Sequence, residues 1–229
     1  SASLVGSEMC IRDSSYPMHF PAFVVAGVCL LLACGIGDVI GKPFILCVCL
    51  TLWAGGYMEK WQQEKDACGK WMYARMLYHS GGYKAANEAY EKLYPVLRGR
   101  GAFLFEYGHS LHKSFLYGDS NKYLEEACRY SSDPMVLNVM GKNYQEQHCY
   151  EQAEKFFYRA IHRLPGRIYP YYLLANLYAE PDFYKPDKLK EAADSVLTKE
   201  PKVHSTAIDE MRSEVREILK RKDKCEIKK

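Results

Sequence analysis

The feature that most narrows the fold of this chain is a period, because the same spacing of bulky, small and aromatic residues returns about every 34 residues. One unit reads Leu137, Met140, Gly141, Tyr144, Tyr150, Ala153, Phe157, Ala160 and Pro165. One repeat earlier, Leu104, Tyr107, Gly108, Leu111, Tyr117, Leu124 and Ala127 fill the same slots, with Ser120 in place of the small Ala. A further repeat back stand Ala74, Leu77, Tyr83, Ala86, Tyr90 and Leu93, the last in a slot that is usually small. Forward, Tyr171, Leu174, Ala175 and Tyr178 make a fourth opening helix, but residues 180–186 intervene before its partner, placed on Leu189, Ala192 and Val196. Within each unit the apolar side chains recur three and four apart, which predicts a pair of amphipathic helices. Small residues let paired helices approach to ~8–10 Å, and aromatic rings fill the groove between one pair and the next. A glycine inside a helix costs up to about 1 kcal/mol against alanine, so Gly108 and Gly141 are expected to mark close packing. Residues 205–222 predict one more amphipathic helix, with Ile208, Met211, Val215, Ile218 and Leu219 on one stripe, suited to cap a stack of hairpins.

This spacing resembles the tetratricopeptide repeat (TPR). The resemblance implies an all-α chain, a TPR-like α-solenoid in which helix hairpins wind as a right-handed superhelix; the apolar front described below is expected to precede it with one or two transmembrane helices. About four units are expected within 59–203 (67–100, 101–133, 134–167 and 168–203), then a capping helix and basic tail over 204–229. In TPR proteins, positions 2, 5, 9 and 12 of each first helix face a concave groove that holds partner peptides. Here those slots and their near neighbours hold Trp71, Arg75, Tyr78, Phe105, His109, His112, Asn138, Lys142, Gln145, Tyr172 and Asn176. The implied groove is aromatic and mildly basic, which suits an extended peptide or another helix. It departs from the clamp of chaperone-binding relatives, whose Lys/Asn pattern is only partly met by Asn138, Lys142 and Asn176. The competing reading is that these residues serve solubility or contact a membrane part of the same protein.

Composition divides the chain in two. Apolar residues make up 48% and charged residues 26%, which excludes a disordered polymer. The front is poor in charge: up to residue 57 it holds Arg12, Lys42, Glu8, Asp13 and Asp38 alone among Lys, Arg, Asp and Glu. Residues 21–37 and 43–58 form two uncharged runs, ~25 Å and ~24 Å long as helices, a little short of a ~30 Å bilayer core. Trp53, Tyr57 and Lys60 suit an interface, and 38–42 with Gly41 and Pro43 supplies a turn, so 18–58 is expected to be a transmembrane helical hairpin. Residues 4–14 resemble one reading frame of a transposon-based sequencing adapter, which implies that 1–17 is an adapter scar or a disordered tail.

No Gly-rich phosphate loop, His-Glu-x-x-His or Gly-x-Ser-x-Gly occurs in the sequence, and no catalytic residue or cofactor is expected. A net charge of +3 with a pI near 8.3 is too mild to point to nucleic acid. The nine cysteines show no Cys-x-x-Cys spacing and are expected to act as small hydrophobes. His109 and His112, with His79 one repeat earlier, lack the carboxylates or cysteines that a metal site needs, so no metal is expected. The run Lys220-Arg221-Lys222 is expected to be a solvated helix end or an acidic-lipid contact.

Residues 103–113, 132–135, 141–144, 162–165, 167–181 and 197–203 resemble the C-terminal TPR tail of O-antigen ligase/polymerase-like membrane proteins of Bacteroidota, a likeness covering about 58–220. It implies a place in surface-polysaccharide assembly at the bacterial inner membrane, beside an enzyme that moves glycan from an undecaprenyl diphosphate carrier. The family's catalytic Arg and His lie in loops between earlier spans that this sequence lacks, so none carries over. The expectation is therefore a membrane-anchored protein-interaction module, the C-terminal part of such a protein. The alternatives are an autonomous membrane-tethered TPR adaptor with no enzyme attached, and a soluble secreted repeat protein.

Overall fold

A computed structural model describes the backbone of residues 41–201 and 205–226, and side-chain surroundings between 55 and 222 outside 202–204. The described elements are helical: α1 (Gly41–His79), α2 (Tyr83–Leu97), α3 (Gly101–Lys113), α4 (Tyr117–Tyr130), α5 (Pro134–Glu146), α6 (Tyr150–Arg163), α7 (Tyr169–Ala179), a 3-10 turn (Pro181–Phe183), α8 (Pro186–Thr198) and α9 (Thr206–Glu226). Two compact units divide them: Ser1–Ser80 with Ala89–Leu97, and Gly81–Glu88 with Arg98–Lys229.

In the first unit Ala67, Trp71 and Ala74 on α1 and Tyr90, Leu93 and Leu97 on α2 are buried. The expected tail at 1–17 and the apolar run at 21–37 lie outside the described residues. The second run, 43–58, lies within α1, which continues past it to His79. Residues 59–66 are helix formers without proline, and a Gly pair such as Gly55-Gly56 weakens a helix without blocking it. Among the described residues no helix is long and apolar enough to cross a membrane.

In the second unit, α3/α4, α5/α6 and α7/α8 form successive hairpins, and the first helices of neighbouring hairpins also touch. The small positions act as the spacing predicts. A Cβ placed on Gly141 falls 2.3 Å from Cε1 of Phe157, and one on Gly108 falls 2.7 Å from Cγ of Leu124. The backbones of α3 and α5 therefore lie directly against the bulky residue of their partner helix, a distance no side chain permits. Ala153, Ala160, Ala127, Leu124 and Phe157 are fully buried around these contacts. The tight turns repeat as well: Gly81, Phe115 and His148 all adopt positive φ, at +83°, +62° and +58°, about one repeat apart. Glycine takes that conformation freely, whereas Phe115 and His148 bear a steric cost there.

The fourth hairpin accommodates its insertion by anchoring it. Phe183 stacks on Tyr150 at 5.3 Å, and Lys185 Nζ lies 3.7 Å from the Phe183 ring centre. Glu154 on α6 accepts hydrogen bonds from Tyr178 Oη (2.6 Å), Lys188 Nζ (2.6 Å) and Lys185 Nζ (3.3 Å), joining α6, α7, the insertion and α8. The expected cap is α9, whose Val215 is fully buried. Its Arg212 donates to the carbonyls of Val196 (3.1 Å) and Lys199 (2.6 Å), closing the C-terminal end of α8.

Gly141→Ala is expected to destabilise the protein by about 2 kcal/mol net, since overpacking outweighs the gain in helix propensity. Gly118 on α4 has nothing within 4 Å of its Cβ position, so Gly118→Ala should raise stability by up to about 1 kcal/mol. Thermal melts of the two variants measure both signs.

Candidate functional site

Eight of the eleven residues expected in the groove lie on α3, α5 and α7; Trp71, Arg75 and Tyr78 lie on α1 in the other unit. There Trp71 is buried at 7% exposure, a packing role rather than an open surface, with the Arg75 guanidinium 5.5 Å from its ring centre. Tyr78 meets His79 edge-on.

On α3, Phe105, His109 and His112 succeed one another along one side of the helix, four and three residues apart. Their rings stack at 5.7 Å and 15° for the first pair and 5.8 Å and 14° for the second. Burial, then His112, Lys113 and Lys142, lower the His109 imidazole to about 4. His112 is likewise lowered, chiefly by burial, although its hydrogen bond to Asn143 works the other way. Both rings are thus neutral at pH 7. On α5, Lys142 is held below the usual ammonium range by burial and by Lys113. Gln145 Nε2 donates to Glu180 Oε1 at 3.1 Å.

His112 and Asn138 depart from the expected groove lining. His112 is 9% exposed and Asn138 2%, so both are packed between helices. Asn138 turns its amide nitrogen to Met135 Sδ at 3.6 Å and leaves Oδ1 without a partner. On α7, Tyr172 donates to Glu214 of α9. The capping helix therefore engages the far end of the face, leaving Phe105, His109, Lys142 and Gln145 as its partly open middle.

His112 belongs to a buried network that sequence reasoning missed. Asn143, fully buried, donates through Nδ2 to Ser120 Oγ (2.8 Å) and Asn121 Oδ1 (2.7 Å), and Ser120 Oγ donates to the Gly108 carbonyl (2.7 Å). With both amide protons used, Asn143 Oδ1 must accept, so His112 donates from Nδ1 across 2.6 Å. The chain of bonds ties α3 and α4 to α5. Its signal in the sequence was slight: Ser120 breaks the small-Ala pattern, and Asn143 stands one repeat after another polar residue, Ser110. Among the described residues no group of three or more His, Cys, Asp or Glu is placed to hold a metal ion.

No protein-family model matches the chain, and no curated protein matches it. Solved structures do. PilF of Pseudomonas aeruginosa aligns with a TM-score of 0.53 at 16% identity, over 73% of this chain and 82% of its own. A crystal structure of MamA aligns with a TM-score of 0.51 at 17% identity, over 68% of this chain and 97% of its own. A double mutant of MamA from RS-1 gives 0.50 at 14% identity, over 89% and 97%. PilF and MamA are TPR proteins, so the likeness shows an all-helical TPR-type fold.

Two outcomes follow for stability. Asn143→Leu, of similar volume, strands His112, Ser120 and Asn121 and should cost about 3 kcal/mol in denaturant unfolding. The second concerns pH. A histidine kept neutral in the fold supports it fully above about 6.5, the unfolded value, and that support is lost as pH falls toward about 4 for His109. Glu154 adds a loss at lower pH: burial opposes its charge, but hydrogen bonds from Lys188, Tyr178 and Lys185 outweigh this and hold it below the usual range. Melting temperature should fall between pH 6.5 and 4, less steeply in His109→Gln, and imidazole NMR should titrate His109 near 4.

Proposed function

We propose that this chain is a membrane-anchored protein-interaction module that holds a protein or peptide segment on the shared face of α3, α5 and α7. The observation that carries this reading is the surface itself. Two neighbouring first helices, α3 and α5, carry Phe105, His109, Lys142 and Gln145, each partly open, in a sequence without a catalytic motif. A ring for stacking, an amide and a cation at mid-face are the groups by which an extended segment is recognised. The uncharged runs at 21–37 and 43–58 support the anchor, and two such runs in succession favour membrane spans over a cleaved leader. The resemblance of residues 103–113 and 167–181 to O-antigen ligase/polymerase-like proteins supports a place as the C-terminal part of such a protein. In that setting the module positions a partner beside an enzyme acting on undecaprenyl-linked glycan.

Selection of dodecapeptides from a randomised display library tests the interaction. Selected peptides are expected to lose at least tenfold in affinity, about 1.4 kcal/mol, on Phe105→Ala with Gln145→Ala. No enrichment, or unchanged binding to the double variant, would overturn it. For the anchor, the full chain expressed in bacteria should stay with membranes through alkaline carbonate extraction; release into the supernatant would exclude it. Long-read sequencing of the genomic locus separates the two settings. Further spans in frame upstream support the polysaccharide protein, and a stop codon supports the free-standing adaptor.

A further inference from the structure

We propose that a cavity between the α6–α7 turn and α9 binds a small apolar carboxylate, its chain against Ile168, Ile208 and Met211 and its charge at Arg167. The cavity shares no residue with the face of α3 and α5, and the proposal does not rest on the interaction reading above.

The cavity has a volume of about 540 Å³, within the ~300–1,000 Å³ of small-molecule sites. Leu164, Ile168, Pro201, Ile208 and Met211 supply apolar walls, and among the described lining residues Arg167 alone is charged. Ile168 is 5% exposed and Leu164 42%, so apolar surface runs from a covered floor to an open mouth. Arg167 is exposed beside Leu164, and among the described residues its side chain forms no ion pair, hydrogen bond or ring contact. Water against such walls finds few polar partners, so an apolar body displaces it with gain. A guanidinium at the mouth meets a carboxylate with two parallel hydrogen bonds and repels a cation.

Both walls are fixed without a ligand. On one side Arg167 N donates to the Leu164 carbonyl at 3.1 Å and Tyr171 Oη to the Pro165 carbonyl at 3.4 Å, which shapes the turn. A Cβ placed on Gly166 meets nothing within 4 Å, so no neighbouring group presses the turn inward there. On the other side Arg212 ties α9 to the end of α8, and Val215 is fully buried. Tyr169 completes the lining; its ring stacks on Tyr172 at 6.2 Å, and burial raises its phenol, which stays protonated. A cavity shaped in advance spares a ligand the cost of ordering it. Just before the turn, His162 and Arg163 are exposed and polar. Apolar surface there does not spread into the broad patch of a protein interface, which favours a small molecule over a partner's side chain.

The test follows the methyl resonance of Met211 in the full chain, methionine-labelled and held in phosphatidylcholine nanodiscs, during titration with octanoate. Octanol and octylammonium, of equal chain length, are the comparisons. Octanoate is expected to shift Met211 saturably while Met135 on α5 stays still. Octanol should bind at least threefold more weakly and octylammonium at least tenfold. Arg167→Glu should weaken octanoate at least tenfold, whereas Lys155→Glu, exposed on α6, should leave it unchanged. Ile208→Trp should block the cavity and abolish the Met211 shift, with melting curves confirming that each variant folds. An unmoved Met211, equal binding of octylammonium, or full binding to Arg167→Glu would overturn the proposal. If octanoate leaves Met211 unmoved while a library-selected peptide shifts it, the cavity seats a partner's side chain and the small-molecule site falls.

Discussion

The second unit depends on places where helix backbone meets side chain with no room for a methyl group. At Gly141 the ring of Phe157 occupies the space a Cβ would need, and at Gly108 the side chain of Leu124 does the same. Such contacts set the distance and rotation of each hairpin, because a bulky residue seated on bare backbone cannot slide along the helix. Once both hairpins are set this way, their first helices lie side by side. The side chains of α3 and α5 that point away from the hairpin contacts then gather into one surface. The candidate site is a consequence of packing on the other side of the same helices.

Between the second and third repeats a polar network supplements apolar packing. His112, Asn143, Ser120, Asn121 and the Gly108 carbonyl form a directed chain of donors and acceptors in which both amide protons of Asn143 are used. Buried polar groups cost several kcal/mol when unmatched, so the arrangement favours one register of α5 against α4 and penalises others. Burial holds His112 neutral, against the opposing effect of its hydrogen bond to Asn143.

The fourth hairpin answers a different problem, since its insertion separates two helices that would otherwise pair directly. Three donors converge on Glu154, and Lys185 lies over Phe183, so the added residues are tied to α6 and α7. The helix α9 then closes the stack with Val215 and Arg212, its opposite side charged and exposed.

Most of the fold was legible in the sequence, because TPR-like packing is local: each small residue meets a partner within its own hairpin, so spacing alone reveals it. That is why Gly108, Gly141, the insertion at 180–186 and the capping helix could be placed from the residues. The site was legible in part, because repeat position indicates which face a side chain belongs to, though not what covers it. Trp71, His112 and Asn138 occupy such positions and are buried, and Tyr172 is engaged by a helix 42 residues away in the chain. The partners of Asn143 and Glu154 were invisible for the same reason: they lie 22 to 34 residues distant at positions with no shared pattern. Period, helix pairs and close-packing points were thus determined by sequence, through contacts between near neighbours. Which polar groups are spent and which stay available was decided by tertiary structure, because hydrogen bonds across repeats depend on how neighbouring hairpins dock.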